Sequence, residues 1–204
     1  MKLYYSPGAC SLSPHIVLAE SGLAFDLEKV NLAAKKTEHG ADYWKINPKG
    51  YVPTLELDNG QLLTEGPAIV QYLADLVPQK KLAAPAGTLE RYRLQEWLNF
   101  ISTELHKSFS PLFNPKAPDD WKSMVRELLN RRLEIVARQL EGRSYLMGED
   151  FTVADAYLYT VLSWTKHVKL DLSSMPMLTS YMDRVATRPA VHATLVAEKL
   201  ITHP

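Results

Sequence analysis

KLYYSPGACSLSPHIVLAESG, residues 2–22, decides the fold. Lys2 to Tyr5 reads as a short apolar strand. Ser6-Pro7-Gly8-Ala9 is a turn, and Ser11-Leu12-Ser13-Pro14 opens a helix with Ser13 as expected N-cap and Pro14 at the first helical position. The helix carries Ile16, Val17, Leu18 and Ala19 and stops at Gly22. Between turn and helix stands Cys10, the only cysteine of the chain. A thiol at a strand-to-helix turn feels the positive end of the helix dipole and the unpaired N–H groups of the first turn. Both favour thiolate, which is the nucleophile. Free cysteines are often buried and inert, but a Pro/Gly/Ser-rich turn is not an apolar stripe, so Cys10 is read as reactive. With no second cysteine, its partner in redox or conjugation chemistry comes from outside the chain.

Working outward, Phe25 to Val30 alternates as a second strand. Asp42 to Ile46 makes one or two helical turns ended by Asn47-Pro48. Thr54 to Leu57 and Gln61 to Leu63 are joined by Asp58-Asn59-Gly60, a strong hairpin signal. Glu65 to Val77 is helical, with Ile69, Tyr72, Leu73 and Leu76 on one face and Thr64 as expected N-cap. The order β-α-β-(α)-β-β-α predicts a small mixed sheet with helices packed on it.

Pro78 to Gly87 reads as a linker, after which strand signals fade. Thr88 to about Phe113 is expected as one long helix, with Leu94, Trp97, Leu98, Ile101 and Leu105 on a stripe. Pro115 and Pro118 break it. Asp119 and Asp120 start another, which runs to Leu140. Thr152-Val153-Ala154-Asp155 opens a third, apolar nearly all round and therefore buried. Pro176 to Thr187 and Pro189 to Glu198 are shorter helices. The domains predicted are an α/β unit over 1–79 and an all-α unit over 87–204.

Lys plus Arg equals Asp plus Glu at 23 each in 204 residues. No basic surplus points to nucleic acid. The six histidines show no metal-ligand spacing. No apolar run approaches the ~20 residues of a membrane span, and no secretory h-region precedes the first strand. A lone cysteine fits a reducing compartment, so a cytoplasmic location is expected.

Further candidates are weaker one by one. Val52-Pro53, taken as a dipeptide, is read as an ordinary trans turn, since only about 5–6% of X–Pro bonds are cis. Glu65-Gly66 could meet a substrate's α-amino group and carboxylate at a helix start. Asn99, Thr103 and His106 fall at i, i+4 and i+7 on one helix face, an uncharged polar stripe unusual for a solvated surface. Thr152-x-x-Asp155 is a structural capping pattern. Phe109, Phe113, Tyr157 and Trp164 are read first as core, with a wall for an apolar second substrate as the functional alternative.

Together these segments resemble a family. SPGACSLSPHI, NPKGYVPTLEL, LLTEGPAIVQYLAD, LNFISTELHKSFSPLFNP and FTVADAYL, collinear over essentially the whole chain, are similar to the cytosolic glutathione transferases, and to the bacterial beta class in particular. The resemblance implies a thioredoxin-like N-terminal domain, a cis Val52-Pro53 bond, and a homodimer with sites near the subunit interface. It implies glutathione as co-substrate, with no metal, and Cys10 able to form a mixed disulfide with it. It assigns glutathione contacts to Cys10, Lys35, Val52, Glu65, Gly66, Asn99, Thr103, Glu104, Leu105 and His106. Lys35 would meet the glycine carboxylate, Val52 the cysteinyl backbone, Glu65-Gly66 the γ-glutamyl end, and His106 the sulfur. Cys10 and His106 would be catalytic, and Phe109, Phe113 and Trp164 would receive the electrophile. Position 103 is threonine where the class pattern has serine, which keeps the hydroxyl and adds a methyl.

The activity expected is conjugation of the glutathione thiol to small apolar electrophiles. The alternatives are glutathione-dependent thiol–disulfide exchange or reductive dehalogenation on the same fold, and a non-catalytic binding module. Neither nucleic acid nor a membrane is an expected partner.

Overall fold

The computed structural model describes residues 1–202. The chain divides into two compact units, Met1–Leu82 together with the segment from Arg188 onward, and Ala83–Thr187.

The first unit is built on a five-stranded sheet. Its strands are β1 (Lys2–Tyr5), β2 (Asp26–Asn31), β3 (Lys36–Thr37), β4 (Thr54–Glu56) and β5 (Leu62–Thr64), in the order β3-β2-β1-β4-β5. β1 runs parallel to β2, with Leu3 opposite Leu27, and antiparallel to β4, with Leu3 opposite Leu55. The parallel pair requires a crossover, supplied by α1 (Leu12–Ser21). Leu3 and Tyr4 point to opposite faces and both are buried, so both faces of the central strand are covered. Tyr4, Val30, Tyr43 and Val52 form one buried cluster, over which Ala9, Leu32 and Ile46 pack.

α2 (Tyr43–Ile46) and α3 (Gly66–Leu76) complete the α/β part. α9 (Pro189–Ala197) packs on α1 in the same unit, although the sequence reading grouped it with the helical half. The tie is polar as well as apolar. Arg188 forks onto Glu20 at 2.6 and 2.9 Å, and buried Glu198 bonds both His15 Nδ1 and the Gly8 N–H at 2.8 Å.

Several local expectations shift. α1 begins at Leu12, not after Ser13, and Ser11 occupies the cap position. Pro14 therefore sits in the third helical position, where its missing N–H would have no helical acceptor in any case. β3 was missed, because two residues are too short to show a period. α3 takes Glu65, not Thr64, as its cap residue, since Thr64 is still paired to Thr54 in the hairpin.

The second unit contains α4 (Leu89–Phe100), α5 (Ser110–Phe113), α6 (Asp119–Gln139), α7 (Val153–His167) and α8 (Pro176–Ala186). α7 is buried along nearly its whole length, as its apolar circumference requires. Its start is a capping box. Asp155 Oδ2 accepts the Thr152 N–H at 2.8 Å and the Thr152 hydroxyl at 2.9 Å. Asp155 Oδ1 accepts the Leu146 N–H at 2.8 Å and the Tyr181 hydroxyl at 3.1 Å.

The single helix expected from Thr88 to Phe113 is not continuous. After α4 the backbone widens into a π turn over Ile101–Leu105, where the His106 N–H reaches back to Ile101 O. It then tightens into a 3₁₀ turn over His106–Phe109 before α5. Pro111 has no N–H to give the Lys107 carbonyl, and the Ser110 N–H bonds it one residue earlier, so the turn narrows. The i, i+4, i+7 argument for Asn99, Thr103 and His106 therefore loses its α-helical basis. Among the described residues no helix is long and apolar enough to cross a membrane.

Candidate active site

In the α/β unit, the turn carrying Cys10 is closed by its neighbours. Ser11 Oγ accepts the Ser6 N–H at 3.0 Å and donates to Ser6 O at 3.2 Å, while the Ala9 N–H bonds Ser6 O at 3.0 Å. Cys10 lies immediately before the cap residue of α1, closer to the helix start than the sequence suggested. It is partly buried rather than sealed in the core. Its Sγ donates to the Val52 carbonyl at 3.0 Å, so two of the expected site residues are brought together. The Val52–Pro53 bond is cis, as the resemblance implied and the dipeptide alone did not. Among the described residues no acceptor meets the Val52 N–H.

The segment around Val52 is pinned from beneath by a buried polar network. The Tyr51 carbonyl accepts from Tyr43 OH at 2.9 Å and from Asn47 Nδ2 at 2.8 Å. Thr54 Oγ1 bonds the same two groups, Tyr43 OH at 2.8 Å and Asn47 Nδ2 at 3.0 Å. Asn47 Oδ1 accepts the Lys49 N–H at 3.0 Å. Burial holds the Tyr43 phenol above its ordinary range, so it stays a donor at neutral pH. The sequence reading saw Asn47 only as a helix terminator, because a buried polar network leaves no periodic trace.

Lys35 sits at a backbone φ of 54° and donates Nζ to Gly50 O at 2.7 Å. Its ammonium lies 5.4 and 5.5 Å from the ring centres of Trp44 and Tyr51, a cation–π arrangement. Gly50 is obligatory here. Its φ is 68°, and a Cβ would fall 2.5 Å from the Trp44 ring.

Glu65 holds a φ of 71°, uncommon for a side chain with a Cβ. Such a conformation costs on the order of 1–3 kcal/mol and clusters at functional sites. Its carbonyl starts α3 by accepting the Ala68 and Ile69 N–H groups. Its exposed carboxylate meets Lys49 Nζ at 2.6 Å, and the same ammonium donates to Thr64 Oγ1 at 3.0 Å. Gly66 is the first residue of that helix. The Tyr5 phenol is pushed up by burial and then by the Glu198 carboxylate, so it remains protonated at neutral pH.

In the helical unit, His106 Nδ1 lies 2.7 Å from Tyr157 OH. Its ring stacks edge-on against Trp164 at 4.8 Å between centres. Trp164 in turn meets Phe109 at 5.5 Å and Phe113 at 5.8 Å. Phe113 is 50% exposed, whereas Phe109 is fully buried. Of the proposed wall, Phe113 presents surface and Phe109 backs it. Thr103 Oγ1 donates to Asn99 O at 3.0 Å across the π turn. Glu104 pairs with Arg132 Nε at 2.7 Å. Leu105 is fully buried, leaving only its backbone to reach a ligand. The role of Tyr157 beside His106 was missed, the two being 51 residues apart. Among the described residues no group of three or more His, Cys, Asp or Glu side chains forms a metal site.

The chain is similar to known proteins over nearly its whole length. Residues 8–76 match the N-terminal domain of glutathione S-transferases, and residues 100–189 match the C-terminal domain. Glutathione S-transferase GstA of Escherichia coli O157:H7 is 52% identical over 200 residues, 98% of this chain and 100% of that protein. The solved structure of a ternary complex of BphK, a bacterial GST, shares 61% identity with a TM-score of 0.96, covering 98% of this chain and 100% of that one. A bacterial beta-class glutathione S-transferase from Sphingomonas chungbukensis shares 48% identity at a TM-score of 0.95, again over 98% of this chain and 100% of that one. With a thiol at the head of its first helix, a cis-proline edge beside it and a helical second unit, the chain belongs to the glutathione S-transferase family, in its bacterial beta class.

Proposed function

We propose that this chain transfers the glutathione thiol to small apolar electrophiles, with glutathione laid along the Val52 edge. The observation that carries the reading is the 3.0 Å approach of Cys10 Sγ to the Val52 carbonyl. It puts the protein thiol beside the backbone edge where an extended cysteinyl residue would pair, and so beside the incoming sulfur. Lys35 supplies a cation for the glycine carboxylate. Glu65 supplies a carboxylate for the γ-glutamyl ammonium, displacing Lys49 from it, and the Gly66 N–H at the head of α3 suits the α-carboxylate. Holding the tripeptide at fixed points turns a bimolecular attack into a near-unimolecular one.

In the reaction, the glutathione sulfur forms the new C–S bond, the leaving group departs with its bonding pair, and the thiol proton passes to solvent. His106, its ring orientation set by Tyr157 and Trp164, offers a group suited to stabilising negative charge on sulfur. Phe113 and Trp164 receive the electrophile. Cys10 takes part in a separate step with oxidised glutathione. Its thiolate attacks one sulfur, the S–S bond breaks, one glutathione leaves as thiolate, and a mixed disulfide remains.

The same reading includes a homodimer, for which exposed Leu89 and Tyr92 at the start of α4 offer apolar surface. Light scattering after gel filtration checks it. The activity is tested by initial rates with glutathione and an activated aryl chloride, alongside intact mass after incubation with oxidised glutathione. Wild type should conjugate and gain one reducible glutathione per chain. Cys10→Ser should lose the adduct while keeping conjugation within about tenfold of wild type. Absence of saturable dependence on glutathione defeats the proposal.

A further inference from the structure

The network beneath Val52 has a directional consequence. A trans peptide unit is planar, and its C=O and N–H point in opposite directions. The Tyr51–Val52 bond is trans, the cis bond of this segment being the next one. Its carbonyl is drawn inward by two buried donors, Tyr43 OH and Asn47 Nδ2, at 2.9 and 2.8 Å. The Val52 side chain is buried in the cluster with Tyr4, Val30 and Tyr43. With carbonyl and side chain both fixed on the inner side, the N–H on the other end of the same plane is aimed away from the network.

We infer that Asn47 and Tyr43 are positioning residues for glutathione. By gripping the Tyr51 carbonyl they aim the Val52 N–H at the ligand's cysteinyl carbonyl. The inference rests on the proposed placement of glutathione along Val52. Thr54 Oγ1 closes the arrangement, since it bonds both donors and stops either from swinging away. Every donor of Asn47 is engaged. Both Nδ2 hydrogens and Oδ1 are engaged, and its own N–H and carbonyl bond Tyr43 O and the Gly50 N–H at 2.8 Å. Neither residue touches the ligand. They act by fixing a peptide plane, so their loss should appear in ground-state binding of glutathione and leave the chemical step alone.

Two variants and one wild-type measurement test this. Asn47→Asp keeps the shape and the acceptor for the Lys49 N–H but places an anion where a donor served the Tyr51 carbonyl. Tyr43→Phe keeps the buried ring and removes only the hydroxyl. Asn47→Asp should raise the KM and Kd for glutathione about tenfold, with kcat and the electrophile KM within about twofold. Tyr43→Phe should raise them about threefold, because one donor remains. A merely structural role would lower the urea midpoint without moving the glutathione KM selectively. In wild type, the Val52 amide should exchange quickly without glutathione and become protected on its addition, read by NMR hydrogen exchange without any mutation. Folded variants that bind glutathione like wild type, or a Val52 amide indifferent to glutathione, overturn the inference alone. Wild type that binds no glutathione overturns the reading beneath it.

Discussion

The edge around Val52 and the aromatic wall around Trp164 are built on opposite plans. The first recognises through backbone groups, and these carry no adjustable side chain. Its accuracy comes from buried hydrogen bonds that lock peptide planes: Tyr43, Asn47 and Thr54 around the Tyr51 carbonyl, Lys35 on the Gly50 carbonyl. The wall joins His106 to Tyr157 by a hydrogen bond and packs rings against rings, with Phe113 half in solvent. Locked backbone suits one invariant peptide. Edge-to-face aromatics, whose pairs are worth about 0.5–1.5 kcal/mol each beyond area, tolerate small rearrangements and suit varied apolar molecules.

The largest expected effect strikes the units that carry the edge and the wall alike. Burial raises the phenols of Tyr43 on the edge side and of Tyr159 and Tyr181 in the helical unit above their ordinary value of 10.0. The unfolded chain ionises these groups near pH 10, so above that point the folded state binds more protons and stability falls as pH rises. Each such tyrosine contributes a slope of up to about 1.4 kcal/mol per pH unit. Urea midpoints should therefore drop steeply above about pH 10. Tyr181, wholly buried beside the Asp155 carboxylate, should matter most, and Tyr181→Phe should flatten the drop more than Tyr43→Phe. An equal flattening would show that the two halves bury their phenols alike.

Next comes Glu65→Gly. Glycine accepts the φ of 71° without strain, so stability should hold or rise by roughly 1 kcal/mol. Glutathione affinity should fall tenfold or more with the lost carboxylate. The exposed Lys49 pair that vanishes is worth at most about 1 kcal/mol. A variant that loses stability and keeps affinity would mean that the strain serves the fold alone. The smallest effect is expected from Phe113→Ala. Half exposed, the ring should cost less than about 1.5 kcal/mol of stability, with a few-fold rise in the KM of an apolar electrophile and none in that of glutathione. If the glutathione KM also moved, the division of labour between edge and wall would fail.

Periodic features were legible from the residues. The strand–turn–helix over 2–22, the hairpin around Asp58-Asn59-Gly60, the buried α7 and the Thr152–Asp155 cap each follow from spacing or from a local side-chain bond. What stayed hidden depends on contacts distant in sequence or on backbone geometry. Asn47 with Thr54, His106 with Tyr157, and Glu198 with Gly8 leave no pattern in a local window. The π turn at Ile101–Leu105 was invisible because its residues carry an ordinary helical stripe, and only the backbone count differs. The cis bond came from the resemblance and not from the dipeptide.

The bond between Glu198 and the Gly8 N–H has a consequence for how the protein is made. A nascent chain emerges amino end first, so the strands and helices up to α3 are exposed long before residue 198 is translated. Until then the turn that presents Cys10 and the imidazole of His15 lack their shared carboxylate. The turn is completed by a residue synthesised 190 positions later, which ties the readiness of its one thiol to the arrival of α9.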